Sequence, residues 1–135
     1  MRLLRTVSTI AAVLALVLVA PSAASATSEP GASLNLNFSA PGVSLQVFTI
    51  QLTCHPTGGG DAAYIDADGI CSDLTAINGD FNALPGYPFI NCANYRGWAI
   101  RTWATGHWFG QPVHYDVLHA NICEAKKATG RIFLG

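Results

Sequence analysis

Thiols, imidazoles and clustered carboxylates carry most protein chemistry, and this chain holds all three in groups. Its four cysteines are Cys54, Cys71, Cys92 and Cys123. A structural zinc site needs close pairs such as C-x2-C, and the sequence has none. A catalytic thiol beside disulfides would leave an odd cysteine over, and four is even. Export to an oxidising compartment, argued below, makes two disulfides the expectation. Three pairings are possible, and the sequence alone leaves them open. Pairing in chain order spans separations of 17 and 31 residues. Loops of that size remove about 3 and nearly 4 kcal/mol of unfolded-chain entropy. Either loss matters against a domain stability of about 5–15 kcal/mol.

The carboxylates of residues 64–75 partly overlay a calcium loop. Asp66, Asp68 and Gly69 stand at its third, fifth and sixth positions. Tyr64 and Thr75 occupy the places of the first ligand and the bidentate glutamate, so a solvated acidic turn is expected instead. His107, His114 and His119 crowd the last third, and Asp116 would share a strand face with His114. No H-E-x-x-H pattern joins them, so they read as exposed strand residues. There is no G-x-S-x-G nucleophile elbow. Gly58–Gly60 lacks the Gly-Lys-Ser/Thr that would make it a phosphate loop. Asn37-Phe38-Ser39 fits the glycosylation triplet. Nothing here forms an enzyme's machinery, and no metal or cofactor is expected.

Residues 1–26 read as a secretory signal peptide. Arg2 and Arg5 precede an apolar stretch over residues 10–20, and Ala24-Ser25-Ala26 offers a cleavage site. Pro21 closes the stretch well short of the roughly 20 residues a membrane span needs, so no membrane association is expected of residues 27–135. Of seven basic and eight acidic residues, two arginines fall in the leader, leaving five against eight, a net of −3. With a pI near 6.4, the chain lacks the basic footprint of a nucleic-acid binder.

Several elements must position these residues within one domain. Leu34, Leu36 and Phe38 alternate as in a half-buried strand. Val43, Leu45 and Val47 resume the alternation and Phe48, Ile50 and Leu52 shift its phase, which predicts a bulged or bent strand. Residues 55–61 form a loop. Leu74, Ile77, Phe81 and Leu84 fall on one helix face, with Ser72 or Asp73 as cap and Pro85-Gly86 as stop. Residues 85–97 read as irregular and partly exposed. Residues 98–105 and 112–118 predict two strands turning near Gly106, residues 121–127 a short helix and residues 131–134 a last strand. The class is α+β with an antiparallel sheet.

Around the cysteines the chain becomes recognisable. Leu52-Thr53-Cys54-His55-Pro56 with Gly58, then Cys71-Ser72-Asp73-Leu74 and Gly79-Asp80-Phe81-Asn82-Ala83-Leu84, are followed in order by Cys92, Trp108-Phe109-Gly110, Tyr115, Cys123-Glu124 and Phe133. This ordered set resembles the Streptomyces subtilisin inhibitor family. The resemblance implies an antiparallel sheet of about five strands with two short helices, and the disulfides Cys54–Cys71 and Cys92–Cys123. It also implies a secreted homodimer that inhibits subtilisin-like or other extracellular serine proteases through an exposed loop.

Carried over without a gap, the resemblance places the scissile bond between Asn94 and Tyr95. Asn91, Cys92, Ala93, Asn94, Tyr95 and Arg96 would then contact the protease, Asn91 facing an apolar pocket. Family members usually have proline or threonine at the position of Ala93 and a strong anchor such as Met, Lys or Arg at that of Asn94. An acid and a proline usually follow where Arg96-Gly97-Trp98 stands. A second alignment matches Tyr95 to a later family tyrosine with one loop residue deleted. The alternative function is an extracellular binding or structural module of the same fold that has lost inhibition.

Overall fold

The computed structural model describes residues 30–134, and the leader expected over residues 1–26 lies outside them. Four strands, β1 (Ala32–Ser39), β2 (Val47–Cys54), β3 (Ile100–Trp108) and β4 (Gln111–His119), form an antiparallel sheet in the order β2-β1-β3-β4. Two helices, α1 (Ala67–Ala76) and α2 (Ile122–Thr129), accompany it. The α+β class therefore holds. Alternation along β1 sends Leu34 and Leu36 inward, where Leu52, Ile70, Leu74 and Phe133 join them in the core. Asn37 points the other way but is also buried. Its amide donates to the Asn35 and Trp103 carbonyls, and its Oδ1 accepts from Thr49. The glycosylation triplet is thus folded into the sheet.

The expected fifth strand is absent among the described residues: residues 131–134 form turns. Ile132 and Phe133 are consecutive and both buried, which a half-buried strand forbids. Phe133 packs with Phe81 and Tyr115, while Arg131 pairs with Asp66 and Asp73 beside α1. The segment is a plug under the sheet.

The apolar spacing from Leu74 to Leu84 spans two elements. Asp66 caps α1 by accepting from the Gly69 N–H at 3.1 Å, so the helix begins earlier than Ser72 or Asp73. It ends at Asn78-Gly79, both at positive φ, where the N–H groups of Asn78 and Gly79 donate to the carbonyls of Thr75 and Leu74. Phe81 then opens a separate 3-10 turn, Phe81–Ala83.

No bulge joins Val43 to Phe48. The N–H groups of Val43 and Ser44 both donate to the Ala40 carbonyl, so β2 begins only after this turn. Nor does the last hairpin turn at Gly106. β3 continues to Trp108, and Phe109-Gly110, both with positive φ, make the two-residue turn. Gly106 instead lets β1 approach, because a Cβ there would overlap the Ser33 carbonyl oxygen.

Candidate functional site

Apart from two isolated turns, no regular structure interrupts the path from Leu84 to Ala99, yet this segment is held at both ends and in the middle. The Tyr87 N–H donates to the Lys127 carbonyl of α2 at 2.8 Å. Gly86 makes this approach possible, since a Cβ there would overlap the same carbonyl oxygen. Cys92 is bonded to Cys123 in the first turn of α2, whose N-cap Asn121 accepts from the Glu124 N–H at 3.0 Å. The other disulfide, Cys54–Cys71, ties β2 to α1. Chain-order pairing is therefore the observed one. At the far end the loop enters β3 at Ile100, opposite His119 in β4.

Between these anchors lie the residues singled out from the sequence. Asn91, Ala93, Asn94, Tyr95 and Arg96 are exposed, and Cys92 is buried. Their main chain is folded over rather than extended. Asn91 Oδ1 accepts from the Ala93 N–H at 3.0 Å, and the Tyr95 N–H donates to the Cys92 carbonyl at 3.0 Å. Ala93 and Asn94 form the corner of this β-turn. The turn was not legible from spacing, although an asparagine whose Oδ1 can accept the backbone N–H two residues on is a recognised Asx-turn signal. Beyond it Trp98, 66% exposed, also faces solvent.

His119 lies beneath the loop's exit, buried and hydrogen-bonded to Thr102 Oγ1 at 2.8 Å. Burial lowers its imidazole below the ordinary histidine pKa, and the charge of Glu124 partly opposes this. It is thus a core residue rather than the exposed strand histidine expected.

The other sequence candidates lie apart. Asp116 is taken by Arg101, whose Nε donates to it at 2.8 Å, and this ion pair holds the carboxyl below its ordinary pKa. Asp66 caps α1 and pairs with Arg131, which likewise lowers its pKa, and Asp68 lies in the first turn of α1. The expected acidic turn is therefore a helix start. Among the described residues no group of three His, Cys, Asp or Glu side chains could hold a metal ion. A hollow of about 370 Å³ near Trp108, Asp80 and His114 lies at the opposite end of β3 from the loop. No helix among the described residues is long and apolar enough to cross a membrane.

Comparison with known proteins bears on this loop and scaffold. Residues 30–121 match the subtilisin inhibitor-like family. Subtilisin inhibitor-like protein 4 of Streptomyces lavendulae is 33% identical over 84 residues, covering 62% of this chain and 70% of that protein. Subtilisin inhibitor-like protein 5 of Streptomyces fradiae is 34% identical over 84 residues, with 62% and 76% covered. The fold is similar to that of Streptomyces caespitosus sermetstatin, solved in complex with Bacillus licheniformis subtilisin. That likeness has a TM-score of 0.58 at 17% identity and covers 77% of this chain and 98% of that one.

Proposed function

We propose that this chain, which belongs to the subtilisin inhibitor-like family, is a secreted inhibitor of subtilisin-like serine proteases acting through residues 91–96. The supporting observation is an exposed loop whose buried Cys92 is bonded to α2 while its neighbours stand in solvent. A protease cleft binds such a segment as an added strand, main chain to main chain. Anchoring limits the conformational freedom lost on binding. If the Asn94–Tyr95 bond is cut, the disulfide and β3 keep both new ends in place, and resynthesis competes with release. On this reading residues 1–26 direct export, residues 27–135 form the inhibitory domain, two copies pair as a homodimer, and no cofactor takes part.

Extended pairing requires the Cys92–Tyr95 turn to open. That releases two hydrogen bonds, each worth about 0.5–1.5 kcal/mol. The protease contacts must exceed this cost. Titration of purified protein against subtilisin, with mass spectrometry of the recovered chain, tests the reading. Tight one-to-one inhibition with any nick at Asn94–Tyr95 is expected, and no inhibition of subtilisin-, chymotrypsin- or trypsin-like enzymes refutes it.

The closed turn itself favours a second reading, in which the fold serves as an extracellular binding module without inhibition. Asparagine at positions 91 and 94 points the same way, because buried amides without partners cost affinity. Rapid cleavage of the loop to completion, with no stable complex, distinguishes this reading.

A further inference from the structure

We propose that Arg96 is a second specificity residue on this loop, presenting the Arg96–Gly97 bond to trypsin-like serine proteases. The inference rests on the reading of residues 91–96 as a protease-binding loop. Arg96 stands four positions after Cys92, fixed by its disulfide, and four before Ile100, fixed in β3.

Local conformation adds to this. Residues 92–95 are closed into a turn, whereas the main chain of residues 96–99 enters no turn, ladder or helix among the described residues. A strand-like encounter at Arg96 therefore needs less unfolding of the loop than one at Asn94. A Cβ at Gly97 would lie 3.0 Å from the Tyr95 ring and 3.6 Å from the Asn121 Cβ, so Gly97 lies between Tyr95 and the N-cap of α2. Arg96 is exposed and makes no ion pair among the described residues.

A free, exposed guanidinium suits a pocket with an acidic residue at its floor, the trypsin-like arrangement. In the encounter the protease serine oxygen attacks the Arg96 carbonyl carbon. The Arg96–Gly97 bond breaks, and the serine proton passes through the protease histidine to the Gly97 amine. That amine stays within reach because residues 97–99 lead directly into β3, so attack on the acyl-enzyme restores the bond.

The test titrates the oxidised full chain against trypsin, subtilisin and a chymotrypsin-like enzyme, with mass spectrometry of each recovered inhibitor. Expected are stable trypsin complexes, a trypsin-dependent nick only between Arg96 and Gly97, and retention of the complex by Arg96→Lys. Arg96→Ala should weaken trypsin binding by roughly 30-fold or more, the loss typical of a desolvated charge contact, and weaken subtilisin binding much less. Inhibition of subtilisin without trypsin, a trypsin nick elsewhere, or complete hydrolysis at Arg96 without a stable complex overturns this inference alone. Failure to inhibit subtilisin, trypsin and a chymotrypsin-like enzyme alike overturns the parent reading as well.

Discussion

Replacing Cys92 and Cys123 together by alanine separates what the second disulfide does for folding from what it does for the loop. Its closure spans 31 residues, which corresponds to about 3.7 kcal/mol of unfolded-chain entropy at 25 °C. The Cys54–Cys71 bond spans 17, or about 3.1 kcal/mol, but its sulfurs sit in the core, and truncating them adds a packing loss. Urea unfolding should therefore rank the two double variants within a few kcal/mol of each other. Inhibition should not follow that ranking. Without Cys92–Cys123 the hydrogen bond from Tyr87 to Lys127 and the entry to β3 are the main anchors left among the described residues. Two or three newly mobile residues at about 1–2 kcal/mol each add roughly 3 kcal/mol to the cost of binding, or about a 100-fold weaker complex with subtilisin. Assays at a temperature where both variants are folded, checked by circular dichroism, make the comparison. Equal loss of inhibition in the Cys54→Ala/Cys71→Ala variant would refute the anchoring argument, as would full inhibition by Cys92→Ala/Cys123→Ala.

Three further outcomes follow from named contacts. Combined Asn91→Val and Asn94→Met substitution should strengthen subtilisin binding at least tenfold in a competition assay, because each replaces an exposed amide that the proposed complex would bury with apolar surface worth about 1.5 kcal/mol or more. Gly106→Ala should destabilise the domain by about 2–4 kcal/mol in urea unfolding, since φ is +124° and the methyl would overlap the Ser33 carbonyl. His119 binds its proton less readily folded than unfolded, so its stabilising share is full above about pH 6.5 and is lost as pH falls through its lower folded value. Melting temperatures between pH 7 and 5 should accordingly fall less steeply for His119→Gln than for the parent. Asp66 and Asp116, with lowered pKa values, lose their stabilising share only below about pH 3.8, outside this window.

Legibility followed the range of the interactions involved. Alternation exposed β1 and most of β2 because side-chain direction in a strand is a local property. The order of motifs around the cysteines led to the family, and with it to the disulfide pairing that spacing alone left open. Segments whose conformation depends on distant partners were misread. Ile132 and Phe133 look like strand residues, yet they plug a space bounded by Phe81 and Tyr115. Gly106 has the composition of a turn, but its role is to admit β1. Leu74 and Phe81 keep helical spacing across a helix stop because both face one core. For the loop, the sequence located its anchor at Cys92 and its exposed residues. It did not reveal the hydrogen bonds that fold residues 92–95.

Those hydrogen bonds connect two features that first look independent, the unusual residue types of the loop and its closed shape. Asn91 is a poor occupant for an apolar pocket, and the same side chain accepts the Ala93 N–H that helps hold the turn. Ala93, where proline or threonine is usual, keeps the N–H that this bond requires, and proline has none to give. Asn94 sits at the third position of the turn, a place asparagine tolerates well. The substitutions that depart from the inhibitor pattern are therefore also the ones that suit the turn. On the proposed reading, replacing Asn91 with valine acts twice, filling a pocket in the complex and releasing a bond in the free loop. A gain from Asn94→Met alone reports its pocket, and any excess from adding Asn91→Val reports the second pocket and the release of the turn together.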